Sequence, residues 1–214
     1  MSYINRAMKK SLVKWNSMFF LLAAILFLVN AIIVVIGMFL ESAQMIKLLG
    51  ETFNAAGWAV GLLGLLGLYQ EIADQSRILS RVGVVCATIG VIVFTALSGL
   101  TFSYFIGILN GNIESLIPLI LPGTIIGGVL SFLLFGIASL RTQVLPRTIG
   151  ILLLSPPLII ISNITTGILG FDSTYILLGV IGALLFVMAS IGFKLQFSNE
   201  KPNHVEPTPE QTAN

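Results

Sequence analysis

Six stretches without a single charged residue divide this chain, and their lengths leave few folds open. They run 26 residues between Lys14 and Glu41, 19 between Glu51 and Glu71, and 32 between Arg81 and Glu114. The remaining three hold 26 residues between Glu114 and Arg141, 24 between Arg147 and Asp172, and 21 between Asp172 and Lys194. A helix of about 20 apolar residues crosses a hydrocarbon core roughly 30 Å thick. Each stretch is long enough to cross once, and none is long enough to cross twice. Their continuous apolar character favours helices over barrel strands, which alternate in polarity over about ten residues. The pattern predicts an all-α integral membrane bundle of six transmembrane helices, near residues 17–40, 53–70, 82–105, 116–139, 148–170 and 174–193.

Composition points the same way. Hydrophobic residues make up 56% of the 214 and charged residues only 9%, with a mean hydropathy of +1.01. An ordinary globular domain carries about 25% charged residues, so this chain lacks the charge to coat a water-facing surface. A soluble enzyme, a nucleic-acid binder and a disordered protein are excluded on that ground.

Orientation follows from lysine and arginine. With the N-terminus inside, the inner segments hold Arg6, Lys9, Lys10, Lys14, Arg77, Arg81, Arg141, Arg147, Lys194 and Lys201, leaving Lys47 alone outside. Basic flanks resist translocation, so cytoplasmic loops carry such an excess. Both termini are predicted cytoplasmic, in a cell membrane. The domain plan is a basic cytoplasmic N-terminus over 1–16, a transmembrane domain over 17–197 and a disordered cytoplasmic tail over 198–214, which carries Pro202, Pro207 and Pro209. The first apolar run exceeds the 7–15 residues usual for a signal-peptide core, and reads as a retained helix.

The inner loops of the two central hairpins share a plan. Arg77-Ile-Leu-Ser-Arg81-Val-Gly83 leads into the third span, and Arg141-Thr-Gln-Val-Leu-Pro-Arg147-Thr-Ile-Gly150 leads into the fifth. Either an internal duplication or the common demands of basic, helix-starting turns accounts for this. The segment GLLGLY ending at Tyr69, followed by a polar loop and the later turn LPRTIG over 145–150, resembles small uncharacterised multi-pass prokaryotic membrane proteins. The resemblance covers roughly residues 57–155, with Thr148 where that pattern often has an aromatic residue. It implies a compact multi-pass fold and carries over no catalytic residue.

Intramembrane function usually rests on ionisable residues, which are costly to keep in lipid. No Asp, Glu, Lys, Arg or His falls inside the six predicted ranges, and the only histidine is His204 in the tail. Haem ligation by paired histidines, a Ser–His nucleophile and a His-based zinc site are therefore excluded. The expectation is a non-enzymatic protein with no metal and no cofactor. Cys86, the only cysteine, has no partner for an internal disulfide and reads as a small core residue.

Several features remain as candidates. Gly57, Gly61, Gly64 and Gly67 recur at steps of four, three and three, and Gly123 and Gly127 repeat the four-residue step. Small residues at this period let helices approach closely, either within the bundle or across a homodimer. Glu71, Asp74, Arg77 and Arg81 suit one face of a continued helix, as local ion pairs or a docking face. The basic N-terminal cluster suits either topology setting or anionic lipid. Pro156-Pro157 removes two helical donors and predicts a bend in the fifth span. Asn30, mid-span, is expected to point inward. Ser98, Thr101, Ser103 and Tyr104 share an outer depth with Ser162, Asn163, Thr165 and Thr166, with Asn54 and Thr124 nearby. They predict a polar pocket between the third and fifth spans, floored by Pro156-Pro157, unless the spans simply grow more polar toward the interface. The expected ligand-binding residues are Asn30, Ser98, Thr101, Tyr104, Pro156 and Asn163. The function expected is binding or transport of a small or lipophilic molecule, or else service as a structural or accessory subunit acting through a partner membrane protein. Expected partners are membrane lipids, a homo-oligomer or another membrane protein, and no nucleic acid.

Overall fold

A computed structural model describes residues 2–40, 43–73, 75–109, 116–168 and 174–200. It comprises α1 (Ser2–Gly37), α2 (Ala43–Ile72), α3 (Arg77–Phe105), the short α4 (Ile117–Pro122), a π-helical segment (Gly123–Leu130), α5 (Ser131–Thr142), α6 (Arg147–Ile168) and α7 (Thr174–Glu200). Six helices are long and apolar enough to cross a membrane: Trp15–Gly37, Gln44–Ile72, Ile78–Phe105, Ile120–Thr142, Arg147–Thr166 and Thr174–Phe197. The fourth is the composite of α4, the π-helical segment and α5. The tail beyond residue 200, Asp74 of the inner-loop face and the side chains of the N-terminal basic cluster lie outside the described residues.

The spans pack in sequence order around a ring. α1 lies on α2, α2 on α3, α3 on the π-helical segment and α5, α5 on α6, and α6 on α7, while α7 closes the ring against α1. Ser17, near the start of the first span, donates to the Gly192 carbonyl near the end of the last at 2.9 Å, which puts the start of the first span and the end of the last at the same end of the bundle. The outer surface is apolar, with Leu22, Ile25, Ile32, Ile151 and Leu158 exposed; such a surface suits lipid rather than water.

Trp58 is where four helices meet. Its ring stacks on Phe94 of α3 at 5.9 Å and meets Phe27 of α1 and Phe132 of α5 edge-on at 5.8 and 6.1 Å. Offset-stacked and edge-to-face pairs are the favourable aromatic geometries. α2 is at once the least apolar and the most buried of the six spans. A helix sheltered by its neighbours does not need to be apolar all round.

The six glycines of the expected packing face all meet neighbours within the chain. A Cβ built on Gly57 would sit 3.2 Å from the Phe27 ring, one on Gly61 3.3 Å from Met188, and one on Gly64 3.0 Å from Phe20. On Gly67 it would overlap the Asn16 amide, on Gly123 it would approach Val93 at 2.5 Å, and on Gly127 it would run into the Gly90 backbone. Four thus seat α2 against α1 and α7, and two seat the fourth span against α3.

The π-helical segment follows Pro122, which cannot donate a backbone hydrogen bond. Its wider turn brings Gly127 onto Gly90, and the Ser131 hydroxyl donates to the Gly127 carbonyl. At the other end of α5, Gln143 adopts a left-handed conformation with φ 53°. Its N–H caps the Ser139 carbonyl at 3.1 Å before the turn into α6.

Candidate functional site

α2 begins nearly three helical turns before the expected second span, and this changes the chemistry of the bundle. Its membrane-length stretch runs Gln44–Ile72 rather than 53–70, so Lys47, Glu51 and Glu71 belong to the helix itself. Treating each charge as the edge of a span excluded ionisable residues from the spans; the structure places two of them on a cavity wall.

That cavity, of about 290 Å³, lies between α1, α2 and α7 at the end of the bundle opposite Ser17 and Gly192. α2 contributes Ile46, Lys47, Gly50, Glu51 and Asn54, a spacing that keeps one helix face toward the space. Asn30, Val34, Gly37 and Met38 face it from α1, and Thr174, Leu177 and Ile181 from α7. Because α1 runs toward this end while α2 and α7 start there, Asn30, Asn54 and Ile181 form the floor. Met38, Lys47 and Thr174 form the mouth.

Polar groups are distributed by depth. Asn30 is only 3% exposed, and among the described residues its amide has no hydrogen-bond partner. Its amide can both donate and accept toward the cavity. Opposite it stands Gly50, where a Cβ would come within 3.2 Å of Asn30 Oδ1; the absence of a side chain there keeps the amide open to the cavity. Glu51 is half-buried, and one of its carboxylate oxygens accepts from Asn54 Nδ2 at 3.3 Å. Lys47, one turn nearer the mouth, is exposed. The two charges line one cavity, yet among the described residues they form no direct ion pair. Lys preceding Glu by four is the weaker order for a helical pair. The arrangement offers an acceptor carboxylate, a donor ammonium and an amide that does both, against apolar walls of Val34, Ile46, Leu177 and Ile181.

Of the residues expected to bind ligand, Asn30 lines this cavity and the others are elsewhere. Ser98 on α3 donates to the Thr52 carbonyl at 3.1 Å. The Thr101 hydroxyl, buried, lies 3.0 Å from that of Thr52 while donating to the Leu97 carbonyl at 2.9 Å. Tyr104 is half-buried against the core. Asn163 lies on α6, where its carbonyl accepts the Thr166 hydroxyl at 2.8 Å. Pro156 and Pro157 are buried within a continuous α6. α3 and α6 sit on opposite sides of the fourth span, so Ser98 and Thr101 are not brought together with Asn163. The expected pairing of the third and fifth spans had equal depth in its favour, but depth does not say which helices are neighbours. Lys47, Gly50, Glu51 and Thr174 escaped notice, although Lys47, Glu51 and Asn54 at steps of four and three carry a visible helical-face signal. No protein-family model, curated protein or solved structure matches the chain.

Proposed function

We propose that this chain is a multi-pass protein of the cell membrane that binds a small molecule carrying a polar group, by non-covalent contact alone, in the cavity between α1, α2 and α7. The observation that carries this reading is the unpartnered, 3% exposed Asn30 amide at the floor of a cavity that also holds Lys47 and Glu51. Small-molecule sites characteristically combine apolar walls with a few convergent polar groups, and a bound ligand would supply the missing hydrogen bonds. The lining provides hydrogen bonding and charge against apolar walls, which supports the binding of a small molecule with a polar group. Ten of eleven basic residues fall on the side of the termini, which supports cytoplasmic termini and a cavity opening on the outer face.

Thermal unfolding of the full chain in detergent tests the binding claim, with a panel of small alcohols, amines, carboxylates and zwitterions added singly. A ligand that binds only the folded state raises the midpoint. At least one class is expected to raise it in the wild type and not in Leu177→Trp, which fills the mouth from an exposed position. A panel with no effect on the wild type overturns the reading. Orientation is tested separately, by labelling Leu177→Cys in a Cys86→Ala background with a membrane-impermeant maleimide on intact cells. Labelling is expected, and labelling only after cell lysis contradicts the outward-facing cavity.

A further inference from the structure

The α1–α2–α7 cavity holds two opposite charges that do not pair with each other, and their placement specifies a ligand. Resting on the binding role proposed above, we propose that the ligand is a zwitterion, with a primary ammonium seated at Glu51 and Asn30 and an acidic oxygen group at Lys47.

Glu51 and Lys47 stand one helical turn apart on the same face of α2, about 6 Å along the axis. Glu51 is the deeper and half-buried; Lys47 is exposed at the mouth. A carboxylate against apolar walls loses part of its hydration, and a single bond from Asn54 Nδ2 at 3.3 Å replaces little of it. An ammonium group has three donors and no acceptor. Glu51 and Asn30 Oδ1 both accept, and both border the floor, so a primary ammonium there is held by charge and by hydrogen bonds together. Asn30, 3% exposed and on the cavity wall with no hydrogen bond among the described residues, is the second, independent sign of a missing ligand.

The opposite end of the ligand meets a different environment. Lys47 offers mobile donors and a positive charge at the mouth, which Thr174 also lines, and this suits a carboxylate or phosphate that stays partly in water. A ligand with only one of these charges would leave the other side chain without an opposite charge in direct contact, which penalises it relative to the zwitterion. The apolar side chains Leu177 and Ile181 on α7 accept a short hydrocarbon body. Two sources share this chemistry: a free amino acid with an aliphatic side chain, and the phosphoethanolamine headgroup of a lipid.

The experiment uses the full chain in phosphatidylcholine nanodiscs, whose headgroups have a quaternary ammonium with no N–H to donate. In the soluble arm, calorimetry compares leucine and O-phosphoethanolamine with leucine methyl ester, which lacks the acid, and 4-methylpentanoate, which lacks the ammonium. In the lipid arm, native mass spectrometry measures retention of phosphatidylethanolamine mixed into the discs. The expected result is a zwitterion bound about tenfold or more tightly than either single-charge relative, or phosphatidylethanolamine selectively retained. In either case the preference is lost by about tenfold in both Lys47→Met and Glu51→Gln. Selective binding in the soluble arm identifies a free solute, and in the lipid arm alone a headgroup. Equal binding of the single-charge relatives, or full binding by both variants, overturns the zwitterion. The wild-type comparison among probes stands on its own if a variant fails to fold. Uncharged 4-methylpentanol bound by the wild type and not by Leu177→Trp, with no zwitterion preference, leaves the binding role intact and removes only this inference. If no probe binds, both fall.

Discussion

Gly90 of α3 and Gly127 of the π-helical segment touch backbone to backbone: a Cβ added at Gly90 would stand 2.5 Å from the Gly127 Cα. At that distance no side chain can move aside, and the helices themselves must separate. The contact fixes where the fourth span crosses α3, beside the Trp58 cluster through Phe94 and Phe132.

Gly90→Ala is therefore expected to lower stability by about 2 kcal/mol through overpacking. The measurement is reversible unfolding of the purified chain in mixed micelles. Gly99→Ala, on the same helix with nothing within 4 Å of its Cβ position, is the control. It is expected to be neutral or stabilising by up to about 1 kcal/mol, from helix propensity.

Gly67 and Asn16 make a second close contact, of a different kind. A Cβ on Gly67 overlaps the Asn16 amide, whose Nδ2 is buried and among the described residues has no hydrogen-bond partner. Gly67→Ala alone is expected to destabilise by about 2 kcal/mol. Combined with Asn16→Ala, most of that loss should return, because the second change removes both the clash and an unsatisfied amide. Additive losses in the double variant would show that the clash is relieved elsewhere.

Near the cavity end of the bundle, the contact between α2 and α3 rests on Thr52, Ser98 and Thr101. A double-mutant cycle of Thr52→Val and Thr101→Val is expected to give a coupling of about 0.6 kcal/mol, typical of hydrogen bonds between membrane helices. Ligand binding in the α1–α2–α7 cavity should be unchanged in Thr101→Val. Loss of binding there would move the site to α3.

Much of the bundle is legible in the sequence because lipid imposes a single rule on every segment it touches. Five spans have ends within a few residues of those expected, since each has a lipid-facing side that must be apolar. α2 departs from the rule at its start: Lys47, exposed, and Glu51, half-buried, lie within the helix and line a cavity, so charge there does not mark the end of a span. The π-helical segment is invisible to hydropathy, which is blind to helical pitch; only the run of Pro122, Gly123, Gly127 and Gly128 hints at irregularity. Asn30 was legible as an inward residue because a mid-span amide has nowhere else to go. Its partners across the cavity were not, since their azimuth around the bundle depends on how the ring closes.

Pro156 and Pro157 leave the carbonyls of Leu152 and Leu153 without their helical donors, and α6 is expected to bend there by more than about 20°. A density map of the full chain reports the bend as the angle between the helix axes before and after the two prolines. Replacing both prolines with alanine is expected to bring that angle below about 20°. A wild-type angle already below that value would mean that α6 is straight.

The most direct test of the binding site is a density map of the full chain in a lipid nanodisc, inspected between α1, α2 and α7. The expected map shows a small molecule or lipid headgroup within hydrogen-bonding distance of Asn30 and Glu51 and reaching toward Lys47. A map in which Lys47 pairs directly with Glu51, and α7 closes over Asn30 so that no cavity remains, contradicts it.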